Sequence, residues 1–124
     1  MPKAMVVDDS RAMRRILARN MQEAGFEVCE AANGSDALAR LRASPDEISL
    51  VLVDWNMPEM NGLEFVKQVR ADPAFSRTRL MMVTTETEME RLVAALEAGA
   101  DEYVMKPFTK EILFDKLRLI GAIR

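Results

Sequence analysis

The feature that most constrains this chain is an alternation. Short, largely apolar runs of strand length take turns with longer segments of helical period, five of each along the sequence. Lys3 to Val7, Phe26 to Ala31, Ser49 to Val53, Arg79 to Val83 and Asp101 to Met105 read as strands. Ser10 is placed to cap a first helix with Met13, Ile16, Leu17 and Met21 on one face, ending near Gly25. Ser35 is expected to cap a second, with Ala37, Leu38 and Leu41 inward. A third spans Leu63 to Arg70, with Phe65, Val66 and Val69 on its apolar side, and a fourth spans Glu88 to Ala98 and stops at Gly99. Thr109 is expected to cap the fifth, where Ile112, Leu113, Leu117 and Ile120 recur at helical spacing.

Strands that are apolar throughout must be buried on both faces, and right-handed crossovers place helices over each face of a parallel sheet. The expected fold is therefore α/β: a flavodoxin-like (βα)5 sandwich whose five-stranded parallel sheet has the order 2-1-3-4-5. The 124 residues, 49% of them hydrophobic, suffice for one such domain spanning 1–124, with no output domain expected. The formal net charge of -3 gives no bias toward nucleic acid, and no apolar run is long enough for a bilayer. A cytoplasmic monomer is expected. Cys29 is the sole cysteine and histidine is absent, which excludes disulfide frameworks, the usual zinc sites and Ser-His or Cys-His nucleophiles. Chemistry is left to carboxylates, hydroxyls and amines. The ten methionines suit adaptable packing, most of it in the core.

Four of the strand runs end in polar residues: Asp8 and Asp9, Asp54, Thr84, and Lys106. A parallel sheet brings these ends to one edge, where open α/β sheets bind their ligands. Singly, each has a structural use, such as capping for the Asp8-Asp9 pair. Together, three carboxylates repel one another unless protonated or joined by a hard divalent cation, and Mg²⁺ suits oxygen ligands that also meet a phosphoryl group. A lysine beside such a site neutralises phosphoryl charge, and one carboxylate can accept the group as an aspartyl phosphate. The chemistry does not choose among Asp8, Asp9 and Asp54.

The motifs Val6-Val7-Asp8-Asp9-Ser10, Met13-Arg14-Arg15-Ile16, Asp54-Trp55-Asn56-Met57-Pro58 with Asn61-Gly62, Thr84, and Tyr103-Val104-Met105-Lys106-Pro107-Phe108 stand in an order and spacing that cover essentially the whole chain. In these the sequence resembles the receiver domain of two-component response regulators, and among them those of chemotaxis. The resemblance implies Asp54 as phosphoacceptor, Asp9 and Asp54 as direct Mg²⁺ ligands, the Asn56 carbonyl as a third, and Asp8 acting through a metal-bound water. It further implies Lys106 paired with the phosphoryl group, a cis Lys106-Pro107 bond, and Thr84 and Tyr103 as a switch that remodels the face made by helix 4, strand 5 and helix 5.

The implied donor is a histidine kinase and the implied readers are proteins: the flagellar motor switch, or a histidine phosphotransfer protein if the chain is a relay intermediate or phosphate sink. A dedicated phosphatase is a further implied partner. Thr85 stands where a smaller residue is common in the family, and Glu59 adds negative charge to the loop after Pro58. Asn56 and Glu86 occupy positions that influence phosphate loss in the family, and their identities imply a short-lived mark. The chain is thus expected to have no separate turnover substrate. A phosphatase or phosphotransferase of the haloacid dehalogenase type is disfavoured, since it needs an acid where Asn56 stands. A flavin carrier is disfavoured because Asp8 and Asp9 would repel its phosphate. The set Arg11, Arg14, Arg15 and Arg19 reads first as a solvated basic face of helix 1, with attraction of an acidic partner as the alternative.

Overall fold

The computed structural model describes residues 2–124. In chain order the elements are β1 (Lys3–Val7), α1 (Arg11–Glu23), β2 (Glu27–Ala31), α2 (Gly34–Ala43), β3 (Ile48–Val53), α3 (Gly62–Ala71), a 3-10 turn (Pro73–Phe75), β4 (Arg79–Thr84), α4 (Met89–Ala98), β5 (Glu102–Met105) and α5 (Lys110–Leu119). All strand pairings are parallel and the order across the sheet is β2-β1-β3-β4-β5. The expected flavodoxin-like order is what the sheet adopts.

Alternation along each strand divides the core in two. Met5, Val7, Val51, Val53, Leu80 and Met82 face Leu38 and Leu41 of α2, Phe65, Val66 and Val69 of α3, and Ala95 of α4. Ala4, Val6, Leu50, Leu52, Met81 and Val83 face Leu17 and Met21 of α1 and Leu113 and Leu117 of α5. Each side chain of this size removed from water contributes about 1.5–3 kcal/mol, so the central strands are pinned from both sides.

Local details differ from the sequence reading in instructive ways. Asn33, not Ser35, caps α2: its side chain accepts from the Asp36 amide at 2.8 Å, and the helix starts earlier, at Gly34. Ile16 and Ile112 lie on the outer flanks of their helices, 51% and 49% exposed, while their neighbours Leu17 and Leu113 turn inward. Ile120 falls beyond α5, at its C-cap. Ser10 and Thr109 do cap α1 and α5, each accepting the amide three residues on. Gly99 ends α4 with φ +124, and a Cβ there would run into the Arg70 side chain. The 3-10 turn, absent from the sequence reading, buries Phe75 completely enough to join the core.

Candidate functional site

The C-terminal ends of four strands, β1, β3, β4 and β5, bring the strand-end residues together at one edge of the sheet. Asp8 and Asp54 are buried, 1% and 7% exposed, whereas Asp9 faces solvent. One carboxylate oxygen from each of Asp8, Asp9 and Asp54 lies within 4.8 Å of the others. Adjacent strands set this spacing. The Asp54 amide donates to the Val7 carbonyl at 3.1 Å, extending the β1–β3 ladder to the acidic pair, and the Asp8 amide donates to Ala31 at 3.2 Å. From the other side, the Lys106 amide donates to the Thr84 carbonyl at 2.8 Å.

Gly62 makes the close packing here possible. A Cβ at this position would stand 2.6 Å from the Asp54 carbonyl oxygen and 2.9 Å from Trp55 Cα, so any side chain would push α3 off the Asp54 loop. The Gly62 amide instead donates to the Trp55 carbonyl at 2.9 Å, and Asn61 caps α3 through the Glu64 amide at 2.9 Å. Trp55 is itself buried in the core directly after Asp54.

The charges are unevenly satisfied. Lys106 Nζ donates to Asp8 Oδ2 at 2.7 Å and stands 3.6 Å from Asp54 Oδ2. Asp8 Oδ1 accepts the Ser10 amide at 2.9 Å. Asp54 Oδ1, by contrast, is buried without a hydrogen-bond partner, the one such side-chain atom among the described residues. Burial pushes the Asp54 carboxyl above the usual aspartate range; nearby Lys106 and the Thr84 hydroxyl pull it down, the Asp8 charge pushes it further up, and the Asn56 backbone amide offsets part of that. An oxygen-only donor set, held closer than its charges favour and with one buried oxygen unpartnered, fits a hard divalent cation.

The remaining sequence candidates surround this cluster. Thr84 is fully buried, and its hydroxyl accepts the Glu86 amide at 3.1 Å. Asn56 is exposed at the rim, its amide 3.5 Å from the Thr85 hydroxyl. Glu59 is exposed and adopts φ 67, a left-handed turn conformation. Glu86 folds back, buried, to accept the Glu88 amide at 3.1 Å and pair with Arg91 at 3.2 Å. Lys106–Pro107 is cis.

Tyr103 is half-buried on β5, away from the carboxylates, with Lys116 Nζ 5.2 Å from its ring centroid. Met89, Val93 and Leu96 of α4 and Ile112 of α5 are exposed apolar side chains. A cleft of about 390 Å³ lies at the other end of the sheet, between Pro45, Ile48 and Ser49 and Arg77 and Thr78. Among the described residues no helix is long and apolar enough to cross a membrane.

One residue in this region escapes the sequence reading. Arg14 does not belong to the solvated stripe with Arg11, Arg15 and Arg19, which are exposed. Its side chain turns inward and is only 15% exposed. Helical spacing identifies the sector from which a side chain leaves, not where a long one ends, so no signal in the chain marks it.

With this geometry in hand, the likeness to known proteins is informative. Residues 4–118 match the model of the response regulator receiver domain. The chain is 44% identical over 119 residues to the chemotaxis protein CheY1 of Helicobacter pylori, covering 95% of each. It is 44% identical over 116 residues to the chemotaxis protein CheY homolog of Campylobacter jejuni, covering 93% of this chain and 88% of the relative. The solved structure of the chemotaxis response regulator CheY4 of Vibrio cholerae superposes with a TM-score of 0.88 at 38% identity, covering 97% of this chain and 98% of the other. The chain belongs to the response regulator receiver domain family.

Proposed function

We propose that this chain is a phosphorylation-activated response regulator of chemotaxis, with Asp54 as phosphoacceptor and a histidine kinase as donor. The observation that carries the reading is Asp54 itself: a buried carboxylate with an unpartnered oxygen, flanked by two further carboxylates and a lysine at a rigid sheet edge. The chemotaxis assignment rests on relatives so named at 44% identity. No separate turnover substrate is proposed, and the protein would act in the cytoplasm.

Transfer would form a bond from an Asp54 carboxylate oxygen to phosphorus as the N–P bond of a phosphohistidine breaks. The electron pair returns to the imidazole nitrogen, and a ring already protonated on its other nitrogen departs neutral. Asp8, Asp9, Asp54 and the Asn56 carbonyl would hold Mg²⁺, with Asp8 acting through a metal-bound water. When bound, the ion supplies charge neutralisation on the phosphoryl oxygens. Lys106, now paired with Asp8, would exchange that partner for the phosphoryl group. The Thr84 hydroxyl, now an acceptor for Glu86, would turn to donate to the same group. Withdrawing Thr84 frees space beside β5 for Tyr103 to turn inward, which would change the face made by α4, β5 and α5.

That face is where a reader is proposed to bind, and the flagellar motor switch is the proposed reader. Beryllofluoride-activated protein, used as bait in a pull-down, should retain a motor-switch protein. Recovery of a histidine phosphotransfer protein alone would instead assign a phosphorelay role.

A further inference from the structure

Asp8 has every polar group engaged. Its amide donates to Ala31, its carboxylate oxygens accept from Ser10 and Lys106, and its carbonyl accepts from Arg14 Nη1 at 2.7 Å. The same guanidinium donates through Nε to Glu30 Oε1 at 3.3 Å, on the end of β2. Arg14 thus ties three elements together: α1, the edge strand β2, and the loop that carries the acidic pair.

The Asp8 carbonyl belongs to the peptide unit shared with Asp9. Asp9 is exposed, and its side chain forms no hydrogen bond among the described residues. Its direction into the cluster is therefore set by its backbone, and a planar peptide held by its oxygen fixes that backbone on one side. A fork of donors fixed in one plane, as only arginine provides, grips the carbonyl and Glu30 at once.

We propose that Arg14, held by Glu30, is a positioning residue that orients the Asp8–Asp9 peptide so that Asp9 meets Mg²⁺. The proposal rests on the acidic cluster being the Mg²⁺ site. Charge alone argues the other way: a cation beside a cation site weakens metal binding, so Arg14 as a mere charge should oppose Mg²⁺. Glu30 offsets that opposition while keeping the guanidinium aimed at the carbonyl. The two roles consequently predict opposite signs on removal of Arg14.

The test is a Mg²⁺ titration followed by Trp55 fluorescence, on wild type, Arg14→Met, Arg14→Lys and Glu30→Gln, with thermal unfolding measured in EDTA. Loss of an outer-shell partner of this kind is expected to weaken Mg²⁺ about tenfold in Arg14→Met. Arg14→Lys keeps one donor for the carbonyl and should recover to within about threefold of wild type. At saturating Mg²⁺, the rate of phosphorylation by acetyl phosphate should return close to wild type in both variants, a change in metal requirement rather than in turnover. Equal or tighter Mg²⁺ binding in Arg14→Met would overturn the proposal, as would a lysine variant no better than methionine.

Glu30 is on an edge strand and its side chain is 40% exposed, so Glu30→Gln keeps the fold even if Arg14→Met does not. It should weaken Mg²⁺ about threefold, and an unchanged affinity counts against the proposal. Absence of any Mg²⁺ response in wild type would instead remove the metal site on which the proposal rests.

Discussion

The acidic edge and the face around Tyr103 are built on opposite principles. At the edge, charges are buried and crowded, one carboxylate oxygen has no partner, and the backbone beneath is locked by paired strands and by the Gly62 contact. On the α4–β5–α5 face, apolar side chains such as Met89 and Val93 are left in water, and Tyr103 is only half-buried. The first region holds unfavourable electrostatics in a rigid frame; the second holds unburied apolar area. A phosphoryl group relieves the first, and a protein partner relieves the second. Thr84, at the end of β4, and Lys106, directly after β5, join them, the one through its hydroxyl beside Asp54 and the other through its pairing with Asp8.

The largest effect that could break this division is expected at Lys106. Lys106→Ala should still take up phosphate in the presence of Mg²⁺ yet lose the gain in partner affinity, a coupling typically worth about 5- to 150-fold. Fluorescence anisotropy with a labelled partner peptide, with and without beryllofluoride, reads it directly. Retained coupling would show that the two regions communicate by another route.

Next comes the electrostatic burden at the edge. The folded-state pKa of Asp54 is raised, so the native state favours its protonated form. Its contribution to stability is present below the unfolded pKa and is lost as pH rises through the folded value. In EDTA near neutral pH, Asp54→Ala should therefore be more stable than wild type by about 1–3 kcal/mol, since it also removes the unpartnered oxygen. The advantage should shrink as acid protonates Asp54, and Mg²⁺ should stabilise wild type alone. Urea unfolding at two pH values measures this; a less stable variant would mean that Asp54 is well satisfied without metal.

A smaller effect sharpens the other side of the comparison. Lys116 stands over the Tyr103 ring and also pairs with Glu102 at 3.5 Å. A cation–π contact at a partly exposed site contributes about 0.5–1 kcal/mol. If it favours the present Tyr103 position, Lys116→Met should raise the activated fraction about two- to fivefold, read from Tyr103 side-chain NMR signals. No shift would make Lys116 a surface neighbour only.

Much of the fold was legible because buried parallel strands leave a plain signal, apolar runs such as Leu50 to Val53, four of the five ending at a polar residue. The same signal located Asp8, Asp9, Asp54, Thr84 and Lys106, because strand ends of a parallel sheet must share an edge. Choosing Asp54 from its neighbours required the family resemblance. The structure adds a physical asymmetry, with Asp8 fully engaged and Asp54 not.

What escaped the sequence depended on angles finer than one residue or on the reach of long side chains. Ser35 and Asn33 are both good caps, and only the helix start decides between them. Ile16 obeys helical spacing but sits one step around from Leu17, at the margin of the apolar stripe. Arg14 shares its spacing with exposed arginines and differs only in where its guanidinium ends.

The most direct measurement is the fate of phosphate after incubation with acetyl phosphate and Mg²⁺, followed by intact-protein and peptide mass spectrometry. A single added phosphoryl group is expected on the peptide containing Asp54, absent without Mg²⁺ and absent in Asp54→Asn. Undiminished incorporation in Asp54→Asn, or a phosphoryl group on Asp8 or Asp9 in wild type, would contradict it.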